Sequence, residues 1–187
     1  MTEPTYLSHQ LLIAMPTLAD PSFFQTVSYI SEHNADGALG LVINRPLDLT
    51  LGQLLEHLKI TTNLPKTAAK PVYYGGPVQP EQGFVLHSPI GHWGATLHIT
   101  DNIGITTSCD ILQAIADGRG PGHALVTLGY AGWGPGQLEQ ELADNAWLSA
   151  PASLEILFDL PSEQRWQAAA ALLGIDLNLL SSNAGHA

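Results

Sequence analysis

Three short segments hold the side chains in this 187-residue chain whose types and spacing could do chemistry. Glu32, His33 and Asn34, in SEHNADGALGLVINRP, set a carboxylate beside an imidazole, the kind of group that takes or gives a proton in general acid–base catalysis. Asn44 and Arg45 end the next apolar run, immediately before Pro46. A guanidinium fixed there could clamp a carboxylate or phosphate through two parallel N–H bonds. Because acids abound in the chain, a salt bridge to one of them is the simpler expectation for Arg45. Gly75 and Gly76, in YYGGPV, form the third point of interest. Paired glycines at a strand end either make a turn or leave room for a ligand against the backbone, and the turn is the more ordinary use.

Other constellations fall short of a motif. LGYAGWGPGQLEQELADNAWL has glycines at 129, 132, 134 and 136 ahead of a helical run, which suggests a phosphate cradle. It lacks the Gly-Lys-Ser/Thr ending of a P-loop, Pro135 has no N–H to offer, and Glu139 and Glu141 would repel an incoming anion. A helix entry explains it better: Gly134 as N-cap, Pro135 at the first position, Gln137 reaching back to the cap, and Asn145 closing the helix in a left-handed conformation. Trp133 and Trp147 are then expected to anchor the flanks in the core. His87, His92 and His98 invite a metal, but Pro89, Gly91 and Gly94 break any helical face between them and no acidic ligand is near. No metal or cofactor is expected. Gly-x-Ser-x-Gly is absent, and Ser108 and Ser153 read as helix starts. Cys109 also sits at a helix start, but beside Asp110 and with no base near, so it reads as a small structural residue.

These residues must be positioned by strands. LLIAM, TVSYIS, ALGLVIN, PVYYGG, GFVLH, ATLHIT, IGITT and HALVTLGYA are apolar or alternating runs bounded by Gly, Pro and Asn. HNADG and TDN are expected hairpin connections. If TVSYIS and ALGLVIN form such a hairpin, Glu32–Asn34 and Asn44–Arg45 lie at its opposite ends, so their proximity is not assured. Helical periodicity appears four times. LTLGQLLEHL has Thr50 and Gln53 in capping-box spacing, and TSCDILQAIADG has Thr107 and Asp110 in the same spacing with a stop at Gly118. Two more helices start near Pro135 and Pro161, the last ending at Gly174. Mostly consecutive strands with about four helices predict an α+β fold, a largely antiparallel sheet or barrel in a single domain over residues 1–187. Pro65 to Pro71 is expected to be an exposed connection, and the terminal SSNAGHA is a candidate for loose order.

Charge excludes more than any motif does. The chain carries −11, with its six bases scattered, and from Gly120 onward Arg165 faces seven acids. Duplex or RNA binding draws much of its affinity from clustered Lys and Arg on phosphates, so direct nucleic-acid contact is not expected. The amino terminus has no signal-like apolar core and LLIAM is too short to span a bilayer, which suggests a cytoplasmic protein without a membrane partner. Cys109 is the only cysteine, so no internal disulfide can form.

Taken together, LLIAMPTLADPSFFQTVSYISEHNADGALGLVINRPL, GGPVQPEQGFVLH, LGYAGWGPGQLEQELADNAWL and the ending AGHA resemble the YqgE/AlgH family, from Leu11 to the carboxyl terminus. The resemblance implies a compact α+β fold, a bacterial cytosolic setting, and an association by name with the regulation of alginate production and of transcription. The family motif often reads Tyr-Ile-Cys-Glu-His-Asn, whereas this chain has Ser31 in place of the cysteine, so thiol chemistry there is lost. His87 matches the family pattern and His92 and His98 do not. The leading expectation is a non-enzymatic binding or regulatory protein, acting on an unknown protein or a small anionic ligand rather than on DNA. Its candidate surface is Glu32, His33, Asn34, Asn44, Arg45, Gly75 and Gly76. The alternative is an enzyme acting on a small anion in a Glu32/His33/Arg45 cleft with His33 or Glu32 as general base; a directly DNA-binding regulator comes third.

Overall fold

The computed structural model describes residues 6–184. β1 (Gln10–Ala14), β2 (Val27–Asn34) and β3 (Gly37–Val42) run antiparallel to one another. Leu11 and Ile13 enter one apolar core while Leu12 and Ala14 enter another, the period-two alternation of a strand buried on both faces. The HNADG turn closes the β2–β3 hairpin as expected, with Asn34 opposite Gly37. β4 (Pro46–Thr50) leads into α1 (Leu51–His57) through the expected capping box: the Gln53 N–H donates to Thr50 Oγ1 at 3.2 Å and the Thr50 N–H to Gln53 Oε1 at 2.9 Å. Then come α2 (Pro65–Ala68), β5 (Pro71–Tyr74), β6 (Val78–Ser88), β7 (Thr96–His98), β8 (Gly104–Thr106) and α3 (Cys109–Ala116). The chain ends with β9 (His123–Trp133), α4 (Gln137–Ala143), β10 (Trp147–Pro151), a π-helical turn (Glu155–Asp159), α5 (Ser162–Ala171) and α6 (Leu177–Ala184).

The strands make one curled sheet in the order β10-β1-β2-β3-β9-β6-β8-β7, with β4 paired to β5 and β5 to β9. Every pairing is antiparallel except β5 with β9, so the α+β, largely antiparallel expectation holds. The π-helical turn, α5 and α6 pack on one face through Ile156, Leu157, Trp166, Ala169 and Leu177. Elsewhere Leu138 of α4 and the pair α1 and α3 pack on the sheet through separate apolar clusters. β9 is the central strand, pairing with β3, β5 and β6.

Several local expectations need correction. The Pro65–Pro71 stretch is an exposed connection as expected, but it holds the single-turn α2, and β4, β10, the π-helical turn and α6 are elements that no sequence pattern signals. β10 exists because it pairs residue for residue with β1, a long-range contact that the short run WLSAP does not advertise. α4 begins two residues later than expected: Gly136, at φ 73°, is the N-cap, although Gln137 Oε1 still accepts from the Gly134 N–H at 2.9 Å. Ser108 rather than Thr107 holds the N-cap of α3. Asp110 turns outward from it, accepting from Ser108 Oγ at 2.5 Å and from the Gly94 N–H at 2.7 Å. Gly118, Gly174 and Asn145 adopt the left-handed conformations expected of helix ends. Of SSNAGHA, the first four residues belong to α6, and the remainder, with most of AGHA, lies outside the described residues.

Candidate functional site

A bulge in the β2–β3 ladder between Ile30 and Glu32 breaks the strand alternation and turns His33 inward, where it is 4% exposed. Its Nδ1 accepts from the Leu7 N–H at 2.9 Å, which leaves Nε2 to carry the proton and donate to Glu139 Oε1 at 2.5 Å. Both ring nitrogens are therefore committed. The His33 N–H donates to Ser8 Oγ at 3.0 Å, so this residue ties the segment before β1, the β2 bulge and the first turn of α4 into one joint. No ring lone pair remains to act as a base. Glu32 is exposed, and the Asn34 side chain shapes the turn by accepting from the Asp36 N–H at 2.8 Å.

Asn44 and Arg45 hold a different loop. Asn44 accepts from the Val27 N–H and donates to the Gln25 carbonyl, each at 2.9 Å. Arg45 donates through Nη1 to the carbonyls of Pro21 and Ser22, at 2.7 and 2.9 Å, and through Nη2 to that of Phe24 at 2.8 Å. Its guanidinium also lies 5.8 Å from the centre of the Tyr74 ring. The expected salt bridge is thus replaced by main-chain oxygens, because the loop before β2 has donor-hungry carbonyls with no ladder partner. Val27, bound by Asn44, is seven residues from Asn34 along β2, roughly 20 Å at strand rise. Glu32 and His33 therefore share no cleft with Arg45, and the catalytic constellation drawn from those residues does not assemble.

Gly75 and Gly76 also find a structural use. The Gly75 N–H donates to the Leu128 carbonyl, and a Cβ on Gly76 would lie 2.1 Å from the carbonyl carbon of Tyr130. Gly129, at φ 78°, faces Gly76 equally closely, with 2.3 Å between its imagined Cβ and the Gly76 oxygen. At this point β9 passes from pairing with β5 to pairing with β3, so glycines on both chains let two backbones touch. No ligand fits between them. His87 is likewise engaged: Nδ1 donates to the Pro89 carbonyl at 3.0 Å, and Nε2 meets Thr106 Oγ1 at 2.7 Å, which in turn contacts Thr96 Oγ1 at 2.8 Å. Among the described residues no three His, Cys, Asp or Glu side chains gather as a metal would need.

A sizeable opening lies elsewhere, and no local motif marks it. A cleft of about 590 Å³, within the usual range for ligand sites, runs over β3, β9, β6, β8 and β7. Leu41, Phe84, Ile105 and Tyr130 belong to the same apolar face that the π-helical turn, α5 and α6 cover further along. Leu39 and Leu97 stand at the cleft 39% and 49% exposed. None of its twelve lining residues is charged, and Ser31, Gln79, Thr96 and Thr107 provide the polar groups. Such a surface binds by burying apolar area, with a few hydrogen bonds to orient the occupant.

Comparison with known proteins bears on this architecture. A family model described as AlgH-like (DUF179) matches residues 11–178. A UPF0301 protein of Thioalkalivibrio sulfidiphilus is 58% identical over 187 residues, covering all of both chains, and one of Nitrosococcus oceani is 57% identical over 97% of each. The solution structure of the AlgH protein from Pseudomonas aeruginosa is similar with a TM-score of 0.80 and 53% identity, over 100% of this chain and 99% of that one. A crystal structure of a Corynebacterium diphtheriae protein shares the fold at a TM-score of 0.74 and 20% identity, over 97% of this chain and 94% of that one. In sequence and in fold alike, this chain belongs to the AlgH-like family.

Proposed function

We propose that this protein is a non-enzymatic binding or regulatory protein of the cytoplasm that acts by contact with another protein, through the uncharged cleft between β3 and β7. The observation that carries this reading is the cleft lining itself: apolar, free of charge, and bordered by two solvent-exposed leucines, Leu39 and Leu97. An exposed apolar concavity of this size suits the aliphatic or aromatic side chains of a partner. A small anion, the other partner class expected from the sequence, finds no cation there. Catalysis at the expected residues has lost its support, since His33 has no ring nitrogen to spare and Arg45 lies at the opposite end of the β2–β3 hairpin. The regulatory association of the family name fits action through a protein, because a net charge of −11 opposes contact with DNA.

The test places a charge on the cleft. Leu97→Asp and Leu39→Asp alter exposed positions and are expected to leave the circular dichroism spectrum and thermal midpoint nearly unchanged. Partners captured by crosslinking in the host are purified and titrated against each variant, with the neutral dye Nile red as a second probe. Both interactions are expected to weaken about tenfold or more in Leu97→Asp, since a buried carboxylate must be desolvated. Undiminished binding of the dye and of every purified partner would remove the cleft from the function. Turnover in a substrate screen would restore the enzymatic reading.

A further inference from the structure

Arg165 is the one basic residue in the acid-rich last third of the chain, and it is 3% exposed. Its Nε donates to the Leu160 carbonyl at 3.1 Å and its Nη1 to the Ile43 carbonyl, while the Tyr73 ring centre lies 5.4 Å from the guanidinium carbon. Burial lowers its pKa from the ordinary guanidinium value, and Tyr73, Asp159 and Glu163 oppose that shift. Among the described residues no carboxylate comes within ion-pair distance of it; Asp159 pairs instead with His123 at 3.3 Å. A buried cation without an ion-paired carboxylate is costly, and the guanidinium is held here by two carbonyls and the Tyr73 side chain.

This guanidinium lines a cavity of about 350 Å³ between β5, β9 and the start of α5. Lys70 stands at the rim, Ser162 opens the ten-residue α5 that also carries Arg165, and Phe158, Leu51 and Ile115 supply apolar surface. Lys70 and Arg165 against Asp159 leave this lining with a single net positive charge, inside a chain that carries −11. We infer that this cavity is a binding site for a small monocarboxylate with an apolar body, its carboxylate held by Arg165 and Lys70 and its body against Phe158, Leu51 and Ile115. One net charge matches a carboxylate rather than a phosphate dianion, and the planar guanidinium suits carboxylate geometry. The site is separate from the cleft over β3 to β7 and stands or falls independently of it.

Benzoate is the probe, titrated into ¹⁵N-labelled protein with benzamide and inorganic phosphate as controls. Saturable shifts are expected at the amides of Tyr73, Ser162 and Arg165, with benzoate bound about tenfold more tightly than its neutral isostere benzamide. Because Arg165 also ties down two carbonyls, Arg165→Met could fail to fold, so the exposed Lys70→Glu is the working variant. It is expected to stay folded and to weaken benzoate about tenfold by reversing a rim charge. Absence of saturable shifts at these amides, benzamide binding as well as benzoate, phosphate binding more tightly than benzoate, or benzoate affinity unchanged in Lys70→Glu would each overturn the assignment.

Discussion

Arg45 and His33 show how the same side chain changes meaning once its neighbours are known. Each carries a charge or proton suited to chemistry, and each is spent on structure: Arg45 on three main-chain carbonyls, His33 on the Leu7 N–H and the Glu139 carboxylate. Arg45→Ala removes three charge-assisted bonds from a partly exposed loop and should cost about 1–3 kcal/mol in urea unfolding. Arg45→Lys should recover only part of that, because an ammonium cannot fork toward Pro21, Ser22 and Phe24 together. An Arg45→Ala protein of unchanged stability would return this residue to the list of candidate binding groups. His87 makes a pH prediction. Burial lowers its pKa below the usual 6.5, with the Pro89 carbonyl opposing and His98 reinforcing the shift. The unfolded chain therefore binds a proton at a pH where the folded chain does not, so this contribution to stability is complete above about 6.5 and falls as pH drops toward the folded value. Ring resonances of His87 should titrate below those of an unstructured His in an NMR pH series.

At the scale of elements, joints matter more than the elements themselves. Glu141 of α4 accepts from the indole N–H groups of Trp133 on β9 and Trp147 on β10, each at 3.1 Å, and its other oxygen takes the Gln137 amide at 3.1 Å. The tryptophans anchor the flanks as expected; that one carboxylate joins them was not apparent, since 133, 141 and 147 fall on three different elements. Glu141→Ala strands two indole donors and should cost about 2–4 kcal/mol, with a change in tryptophan emission. The backbone crossing of Gly76 and Gly129 is less forgiving. Gly129→Ala adds left-handed strain to a 2.3 Å clash with main chain, and a loss of about 2–4 kcal/mol is expected by thermal denaturation. A fully stable Gly129→Ala protein would show that β9 can shift away from β5. Periodicity revealed eight strands and four helices because each carries its own alternation or cap, whereas β10 depends on β1, far along the chain, and α2 is a single turn too short to show a period.

For the whole molecule, charge and cover are the deciding properties. A chain at −11 without a cluster of bases should show no retardation of duplex DNA near physiological salt, and a sequence-specific shift would reverse that reading. Among the described residues no helix is long and apolar enough to cross a membrane. Helices cover one face of the curled sheet over β1 and β2, but leave the part near β7 open, and that difference creates the cleft. A carboxylate at Leu97 therefore tests the molecule's use of this uncharged cleft without touching its core.

The sequence alone carried the α+β class, the family, the hairpin at HNADG and the capping box of α1. These depend on local periodicity, turn and cap chemistry and the order of short motifs, which are properties of short windows. What Glu32, His33, Asn44, Arg45, Gly75 and Gly76 do was decided by the fold, because it depends on which main-chain groups lack a ladder partner and where two backbones must touch. The cleft and the Arg165 cavity likewise come from elements far apart in sequence, so only their packing brings Leu39 to Leu97, or Lys70 to Arg165.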